Sequence, residues 1–134
     1  LLVIFAGKRH DPFHRRRLGL NLKHRVLVVD NEPFLRRCIC RFLSREGAAP
    51  VEVGSGEEAL ATLKSQPFDT VVIGYTMPVM NGVDLTKKIR ETYPQVAVIG
   101  MSGYAEKEQF MSAGAKAFFH KPFDFHDLLA ALKA

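Results

Sequence analysis

The sequence is poor in cysteine, with only Cys38 and Cys40 among its 134 residues. The two lie two positions apart in a predicted helix, so their side chains point to different faces and suit neither a disulfide nor a chelate. No other group in the chain completes a zinc site around them. We therefore expect reduced, structural thiols and a cytoplasmic protein.

The sequence also lacks an apolar run long enough to span a bilayer. Residues 1–6 are apolar, but a membrane-spanning helix needs about 20 such residues. The same segment lacks the basic-then-apolar order and the cleavage site of a secretory signal. At 134 residues the chain has the length of one soluble domain.

An excess of positive charge is confined to the leading segment. Residues 8–25 hold seven Lys or Arg against one acid, whereas residues 26–134 hold twelve basic residues against thirteen acids. The net charge of +5 therefore does not indicate a nucleic-acid-binding domain. We expect residues 1–24 to form a basic, poorly ordered extension. A basic arm that contacts nucleic-acid phosphates or anionic lipid is the alternative.

From residue 25 onward, strand patterns alternate with helix patterns. Helical periodicity follows each strand. The predicted signals are a cap at Asn31-Glu32 before Pro33, the Ser55–Glu58 capping box and a stop signal at Gly47, and the last helix is predicted over 123–133. This alternation predicts one α/β domain over residues 25–134, with a parallel, doubly wound sheet and helices on both faces. Apolar, β-branched runs predict its five strands at 25–30, 50–53, 70–73, 96–101 and 116–120.

The stretch 69–82 places a loop at the end of the third predicted strand. Its apolar run, 70–73, is typical of a strand buried on both faces, and Pro78 and Asn81-Gly82 then indicate a loop before a helix. Open α/β sheets bind ligands at such strand ends. The polar side chains predicted at this edge suggest a site for a metal ion and an oxyanion. They follow the first, fourth and fifth strands: Asp30 and Asn31, Ser102, and Lys121.

Residues 25–134 resemble the receiver domain of bacterial two-component response regulators. The resemblance implies a flavodoxin-like (CheY-like) five-stranded parallel sheet with strand order 2-1-3-4-5. It is carried by five motifs in the family's order: Val-Leu-Val-Val-Asp-Asn-Glu-Pro (26–33), Met-Pro-Val-Met-Asn-Gly (77–82), Met-Ser-Gly-Tyr-Ala (101–105), Ala-Gly-Ala (113–115) and Lys-Pro-Phe-Asp (121–124).

The resemblance also implies a phosphorylation switch. In that family an aspartate at the end of strand three attacks a phosphoryl group, and Mg²⁺ holds the carboxylate and the phosphoryl oxygens. Matched by motif, Asp30 is an acidic metal ligand and Ser102 is the switch hydroxyl. Lys121 is the phosphate-pairing lysine, usually joined to its proline by a cis bond, and Phe118 is the switch aromatic residue.

Two positions depart from the family pattern. The phosphoacceptor position holds Gly74, which has no nucleophile, so we expect no catalytic residue there. The second acidic position holds Asn31. Asp30, Asn31 and Thr76 then form a degenerate acidic pocket in which Asp30 is the one clear anionic ligand. We expect Mg²⁺ binding to be weak or absent, and no other cofactor is predicted.

We therefore expect a pseudo-receiver: a non-enzymatic module of two-component phosphorelay signalling that binds proteins without phosphorylation at the usual site. Phosphorylation at a non-standard residue is the alternative. A flavodoxin-like cofactor site is disfavoured, because the loop Asp30-Asn31-Glu32 carries two acids where a phosphate cradle needs glycines and amides. The resemblance implies a signalling partner, either a histidine kinase, an output domain or another regulator, on the surface of helix four, strand five and helix five. A further hypothesis is that Lys121 pairs mainly with Asp30.

Overall fold

The computed structural model describes residues 23–134. The expectation for the basic extension therefore lies outside the described residues, apart from its last two positions. His24 is joined to the sheet, since its carbonyl oxygen accepts a hydrogen bond from the Ala49 N–H at 2.8 Å. Its ring Nε2 lies 2.9 Å from the Thr70 hydroxyl oxygen. These contacts tie the chain to the sheet one residue before the predicted start of the domain.

Strands and helices alternate strictly along residues 23–134. The strands are β1 (Arg25–Val29), β2 (Ala49–Val53), β3 (Thr70–Gly74), β4 (Ala97–Ser102) and β5 (Ala117–His120). The helices are α1 (Pro33–Arg45), α2 (Gly56–Ser65), α3 (Gly82–Thr92), α4 (Lys107–Ser112) and α5 (Phe125–Lys133). In this part of the chain, no helix has both the length and the apolar character needed to cross a membrane.

The five strands form one parallel sheet in the order β2-β1-β3-β4-β5. This order confirms the predicted flavodoxin-like, doubly wound architecture. Helices α1 and α5 pack on one face of the sheet, and α2, α3 and α4 pack on the other. The predicted strand segments match the observed strands to within one residue at each end.

The central strand β3 is buried along its whole length. Its side chains point alternately to the two faces of the sheet. Val71 and Ile73 pack in the cluster with α2, α3 and α4, whereas Val72 packs with α1 and α5. Because side chains on a strand alternate between its two faces, both faces need apolar residues and the sequence reads as a continuous apolar run. This burial fixes the position of Gly74 at the carboxyl end of the strand.

The start of α2 follows the predicted capping box. The Ser55 hydroxyl oxygen accepts a hydrogen bond from the Glu58 N–H at 3.2 Å. The Glu58 carboxylate in turn accepts from the Gly54 N–H at 3.0 Å, one residue before the position expected of a standard capping box. The two reciprocal bonds therefore join the chain before α2 to its first turn, and one of them satisfies the Glu58 N–H, a donor that the first turn leaves free.

Two other helix starts differ from the sequence prediction. At α1, Pro33 occupies the first turn as predicted, but the preceding Glu32 makes no side-chain cap. At the end of the sequence, α5 begins at Phe125 and not at residue 123. The reason is that Asp124 acts as the cap, its carboxylate accepting a hydrogen bond from the His126 N–H at 2.8 Å.

The loop after β3 returns to α3 through a close backbone contact at Gly82. The Gly82 N–H donates to the Tyr75 carbonyl at 2.8 Å. A Cβ atom at this position would run into the Gly74 carbonyl oxygen and would lie 2.9 Å from the Phe110 ring. Only glycine fits without rearrangement, which explains why the Asn-Gly pair stands where the helix begins.

Candidate functional site

The carboxyl ends of four strands bring the predicted site residues to one edge of the sheet. Asp30 follows β1, Gly74 ends β3, Ser102 ends β4, and Lys121 comes directly after β5. A cleft of about 390 Å³ opens at this edge. Its lining residues are Asn31, Glu32, Tyr75, Thr76, Ser102, Gly103, Tyr104 and Lys121.

The carboxylate of Asp30 occupies the space beside Gly74 that a side chain would need. A Cβ atom built on Gly74 would collide with Asp30 Oδ2 and would lie 2.9 Å from Asp30 Cγ. The strand register explains this closeness, because Val29 of β1 is paired with Ile73 of β3, one residue before each of the two. Asp30 is only 2% exposed, so its carboxylate is held within the edge of the sheet.

Lys121 joins two carboxylates from the loop after β1. Its Nζ lies 2.9 Å from Asp30 Oδ2 and 2.9 Å from Glu32 Oε1. Burial by itself would lower the pKa of Lys121, but the hydrogen bonds to the two carboxylates outweigh it and raise that pKa above its ordinary value. The ammonium therefore stays charged and links β5 to β1. The pairing expected between Lys121 and Asp30 is present, with Glu32 as a second partner.

The Ser102 hydroxyl is engaged with the loop that follows β4. It donates a short hydrogen bond to Glu106 Oε1 and accepts one from the Tyr104 N–H at 3.0 Å. The Ser102 carbonyl accepts from the Lys121 N–H at 2.7 Å. The side chain is thus bound to its own loop, while its backbone is bound to β5.

The aromatic position on β5 faces the core and not the cleft. Phe118 is half-buried, and its ring centroid lies 5.7 Å from that of the buried Phe110 on α4. The ring therefore packs between β5 and α4. The Lys121–Pro122 peptide is cis, as the family resemblance implies.

No further carboxylate is added to the cleft by Asn31, Thr76 or the acid Asp69. Asn31 and Thr76 are exposed on the wall of the cleft. Asp69 lies at the opposite end of β3, where its carboxylate accepts a hydrogen bond from the Arg25 N–H at 2.8 Å. Asp30 and Glu32 are therefore the carboxylates gathered around Lys121.

Sequence reasoning did not assign Glu32 and Glu106 to the site. Both are close in sequence to a predicted site residue, Glu32 two positions after Asp30 and Glu106 four positions after Ser102. That proximity was the available signal, but acidic residues at loops and helix starts are common. The side-chain contacts, and not the spacing, identify them.

The oxygen ligands at this edge fit a bound Mg²⁺ poorly. Asp30 Oδ1 accepts from the Glu32 N–H at 2.8 Å, and its Oδ2 faces the Lys121 ammonium. Across residues 23–134, no group of three or more His, Cys, Asp and Glu side chains is placed to share a metal ion. Magnesium binds best where carboxylates and waters complete an octahedral shell, and here the Lys121 ammonium already occupies one oxygen of each carboxylate and offsets one of their two negative charges.

The response regulator receiver domain family matches residues 26–133, the whole of the five-stranded fold. This chain belongs to that family. The conclusion agrees with the strand order and with the cis Lys121–Pro122 bond. As a receiver domain, it is a module of two-component signalling.

Individual relatives cover nearly all of the receiver domain. The chain is 32% identical over 115 residues to the chemotaxis protein CheY of Bacillus subtilis strain 168, covering 83% of this chain and 96% of CheY. It is 31% identical over 113 residues to the two-component response regulator PhoP of Pseudomonas aeruginosa, covering 82% of this chain and 50% of PhoP. The chain therefore spans about half the length of this second relative.

A solved structure shows the same fold. The response regulator TrrA from Thermotoga maritima, solved in complex with Mg²⁺ and BeF, superposes with a TM-score of 0.76 at 30% sequence identity. The match covers 82% of this chain and 96% of TrrA. The likeness extends over the receiver domain.

Proposed function

We propose that this receiver domain is a pseudo-receiver, which signals by binding other proteins without phosphorylation at the family's usual position. The observation that carries the proposal is Gly74 at the end of β3, with the Asp30 carboxylate in its side-chain space. An acyl phosphate requires a carboxylate nucleophile at that position. Glycine has none, and Asp30 is buried and paired.

The contacts of Ser102 and Lys121 support a switch that is set internally. In the family these two side chains are expected to hold phosphoryl oxygens. Here Ser102 donates to Glu106, and Lys121 pairs with Asp30 and Glu32. Internal carboxylate oxygens therefore stand in for those of a phosphoryl group as hydrogen-bond acceptors. The conformation of the β4–β5 edge then needs no phosphoryl group to satisfy these donors.

Weak Mg²⁺ binding is part of the same proposal. Asn31 supplies an amide oxygen without charge, and Thr76 supplies only backbone and hydroxyl oxygens. The Asp30 carboxylate would have to leave Lys121 before it could serve a metal. Replacing that pair costs the protein a buried charge contact, which lowers the affinity expected for the ion.

Phosphorylation at a non-standard residue is the second candidate function. Thr76 favours it, because this exposed hydroxyl lines the same cleft as Ser102 and Lys121. Tyr75 lines the cleft as well. Within residues 23–134, neither hydroxyl is hydrogen-bonded to a carboxylate or a histidine that could act as its general base, and a neutral hydroxyl is a weak nucleophile.

We further propose that a signalling partner binds the surface of α4, β5 and α5. Tyr104 before α4 is 72% exposed, and His120 on β5 and His126 on α5 are exposed. Phe118 and Phe123 are half-buried and pack against the core, so they lie beneath this surface and join it to the core. The partner would be a histidine kinase, an output domain or another regulator. Nucleic-acid binding through residues 8–25 and a cytoplasmic location stay predictions.

Incubation with acetyl phosphate and Mg²⁺, followed by intact-mass measurement, tests the proposal. We expect no phosphoryl adduct on the chain, while a receiver with aspartate at the acceptor position, treated in parallel, gains one. An adduct on this chain would overturn the pseudo-receiver. Peptide mapping of that adduct would then distinguish Thr76, Tyr75 and Asp30 as acceptors.

A further inference from the structure

The two edges of the parallel sheet carry opposite charge. Each helix runs antiparallel to the strands, so the helices begin at the carboxyl edge of the sheet and end at its amino edge. The first turns of the helices hold five exposed acids against one exposed lysine, Lys107. The acids are Glu57, Glu58, Asp84, Glu108 and Asp127. The edge that holds the cleft is therefore acidic.

The amino edge holds five exposed lysines and arginines, and we call it the basic edge. Arg45, Lys64 and Lys133 each lie in the last turn of a helix. Lys23 and Lys116 lie just before β1 and β5. Within residues 23–134, none of these five side chains forms an ion pair. Their charges therefore face the solvent without an internal partner.

The other charged side chains at the amino edge do not cancel this excess. Arg25 and Arg90 are half-buried and donate hydrogen bonds to neighbouring oxygens. The Asp69 carboxylate is buried and accepts a hydrogen bond from the Arg25 N–H. Glu46 and Glu91, at the ends of α1 and α3, are the exposed acids. Five exposed bases less two exposed acids leave a side-chain charge of +3 at the basic edge.

The helix dipole accounts for only part of this charge. A cation in the last turn stabilises a helix, which explains Arg45, Lys64 and Lys133 without any partner. It does not explain Lys23 and Lys116, which lie outside the helices. Like charges gathered at one edge repel one another and lower the stability of the compact state. Folding alone therefore does not require the whole excess.

The leading segment of the sequence joins the domain at the same edge. Residue 22 is followed by Lys23 and His24, and then by β1. Residues 1–22 hold five Lys or Arg against one acid, and residues 1–6 are all apolar. An apolar run next to basic residues is typical of segments that bind the interface of an anionic bilayer. The sequence thus adds charge of the same sign, and an apolar run, to the basic edge.

We propose that the basic edge, together with residues 1–22, binds the surface of a membrane that contains anionic lipids. The lysines and arginines would attract the head groups, and residues 1–6 would contact the acyl chains. Two such signals together give firmer binding than either alone. The acidic carboxyl edge would then point away from the lipid, which leaves the cleft open to protein partners. The proposal does not depend on whether the acceptor position is phosphorylated.

A nucleic acid is the other polyanion that a basic surface attracts, and two observations favour lipid over it. Phosphate contacts with Lys and Arg gain nothing from an apolar run such as residues 1–6. Single-stranded nucleic acids are bound by aromatic side chains on which the bases stack. Among residues 23–134, the fully exposed aromatic side chains are Phe34 and Tyr104, and both lie at the opposite edge.

Co-sedimentation of the full chain with lipid vesicles tests the proposal. One set of vesicles contains phosphatidylcholine with about 30% phosphatidylserine, and the other contains phosphatidylcholine alone. We expect binding to the anionic vesicles, weakened by added salt, and little binding to the neutral ones. Lys64→Glu/Lys133→Glu reverses two charges of the basic edge and should weaken binding by about tenfold or more.

The matched control variant is Lys87→Glu/Lys107→Glu, the same charge change at exposed positions of α3 and α4 away from the basic edge. We expect it to change binding by less than about threefold, because salt screens charges that lie farther from the lipid. Circular dichroism checks that each variant is folded. Lys64→Gln/Lys133→Gln should weaken binding without adding acids. Ile4→Ser/Phe5→Ser should weaken it at unchanged charge.

Several results would overturn the proposal. Equal binding to the two kinds of vesicle would remove the role of charge. Equal losses in the two Lys→Glu variants would mean that only the net charge matters. Unchanged binding in Lys64→Glu/Lys133→Glu would confine the contact to residues 1–22. Tighter binding to duplex DNA at the same salt, lost in that variant and kept in Ile4→Ser/Phe5→Ser, would assign the basic edge to a nucleic acid.

Discussion

The two halves of the sheet's carboxyl edge differ in how much receiver chemistry they keep. The response half, Ser102, Phe118 and Lys121 on β4 and β5, has the residue types that the family resemblance assigns to those positions. The acceptor half, Asp30, Asn31 and Gly74 on β1 and β3, keeps one carboxylate of three. On the pseudo-receiver proposal, the side chains that would respond to a phosphoryl group are present, whereas the acceptor position holds Gly74.

The contacts explain how the response half can persist without the acceptor. A buried donor or acceptor that loses its partner costs about 1–3 kcal/mol, and more for a charged group. Ser102 and Lys121 avoid this cost because Glu106, Asp30 and Glu32 accept their hydrogen bonds. The difference between the halves therefore points to a protein whose response side chains are held by internal acids.

Restoring the acceptor with Gly74→Asp should have the largest effect. The new side chain would need the space that the Asp30 carboxylate fills, and it would put a second carboxylate beside the first. Overpacking and like-charge repulsion together should lower the free energy of unfolding by about 3 kcal/mol. Urea denaturation measures this loss, and intact mass after acetyl phosphate treatment should show little phosphorylation.

Two further variants sharpen this result. Gly103→Ala is the matched control, since a Cβ atom at Gly103 meets nothing within 4 Å and should leave stability unchanged. Gly74→Asp/Asn31→Asp restores the second acid as well, and it should be phosphorylated more than the single variant. Full phosphorylation and unchanged stability of Gly74→Asp alone would show that the two halves are not as different as the contacts indicate.

Lys121→Ala should have the next largest effect, because it removes the cation between the two halves. Breaking a buried ion pair costs about 3–5 kcal/mol. Here the Lys121 side chain is 20% exposed, and Asp30 keeps its bond from the Glu32 N–H. We therefore expect a smaller loss of about 2 kcal/mol in the free energy of unfolding.

The control for this variant is Lys116→Ala, which removes an exposed lysine just before β5 and should change stability by less than about 0.5 kcal/mol. An equal loss of unfolding free energy in Lys121→Ala and Lys116→Ala would show that Lys121 behaves as an ordinary surface lysine. If Lys121→Ala lowers stability in the natural sequence but not in the Asp30→Asn variant, the loss belongs to the Lys121–Asp30 pair.

The fold was predictable from the sequence because its signals are local and repeat. Each buried strand reads as an apolar run, and each helix has its own period and end signals, as at Ser55 and Glu58. Helix starts were predicted less well, since Asp124 could act as a cap only if its backbone turned there. Residue type alone does not determine that choice.

The candidate site was predictable only in part. Motif positions placed Asp30, Gly74, Ser102 and Lys121 at one edge, where the structure brings them together. The position of the Asp30 carboxylate in the space beside Gly74 depends on the distance between β1 and β3. No pattern in the sequence encodes that distance. The partner acid Glu106 likewise depends on how the loop after β4 turns back on Ser102.

The smallest predicted effect is a loss of stability at high pH, caused by deprotonation of the Lys121 ammonium. Its folded pKa is raised above the ordinary value of 10.5, so its contribution is fully present below pH 10.5 and is lost as the pH rises through the folded value. Partial exposure limits the loss to less than about 1 kcal/mol.

Burial also raises the pKa of Cys40, to about 11 from 9.0, and destabilises the fold in an overlapping range. The measurement is therefore urea unfolding of Cys40→Ala against Cys40→Ala/Lys121→Met, from neutral pH to pH 11. Only the Cys40→Ala variant, which keeps Lys121, should lose stability above pH 10.5 through deprotonation of that lysine. Parallel curves would show that the ammonium does not hold the two halves of the edge together.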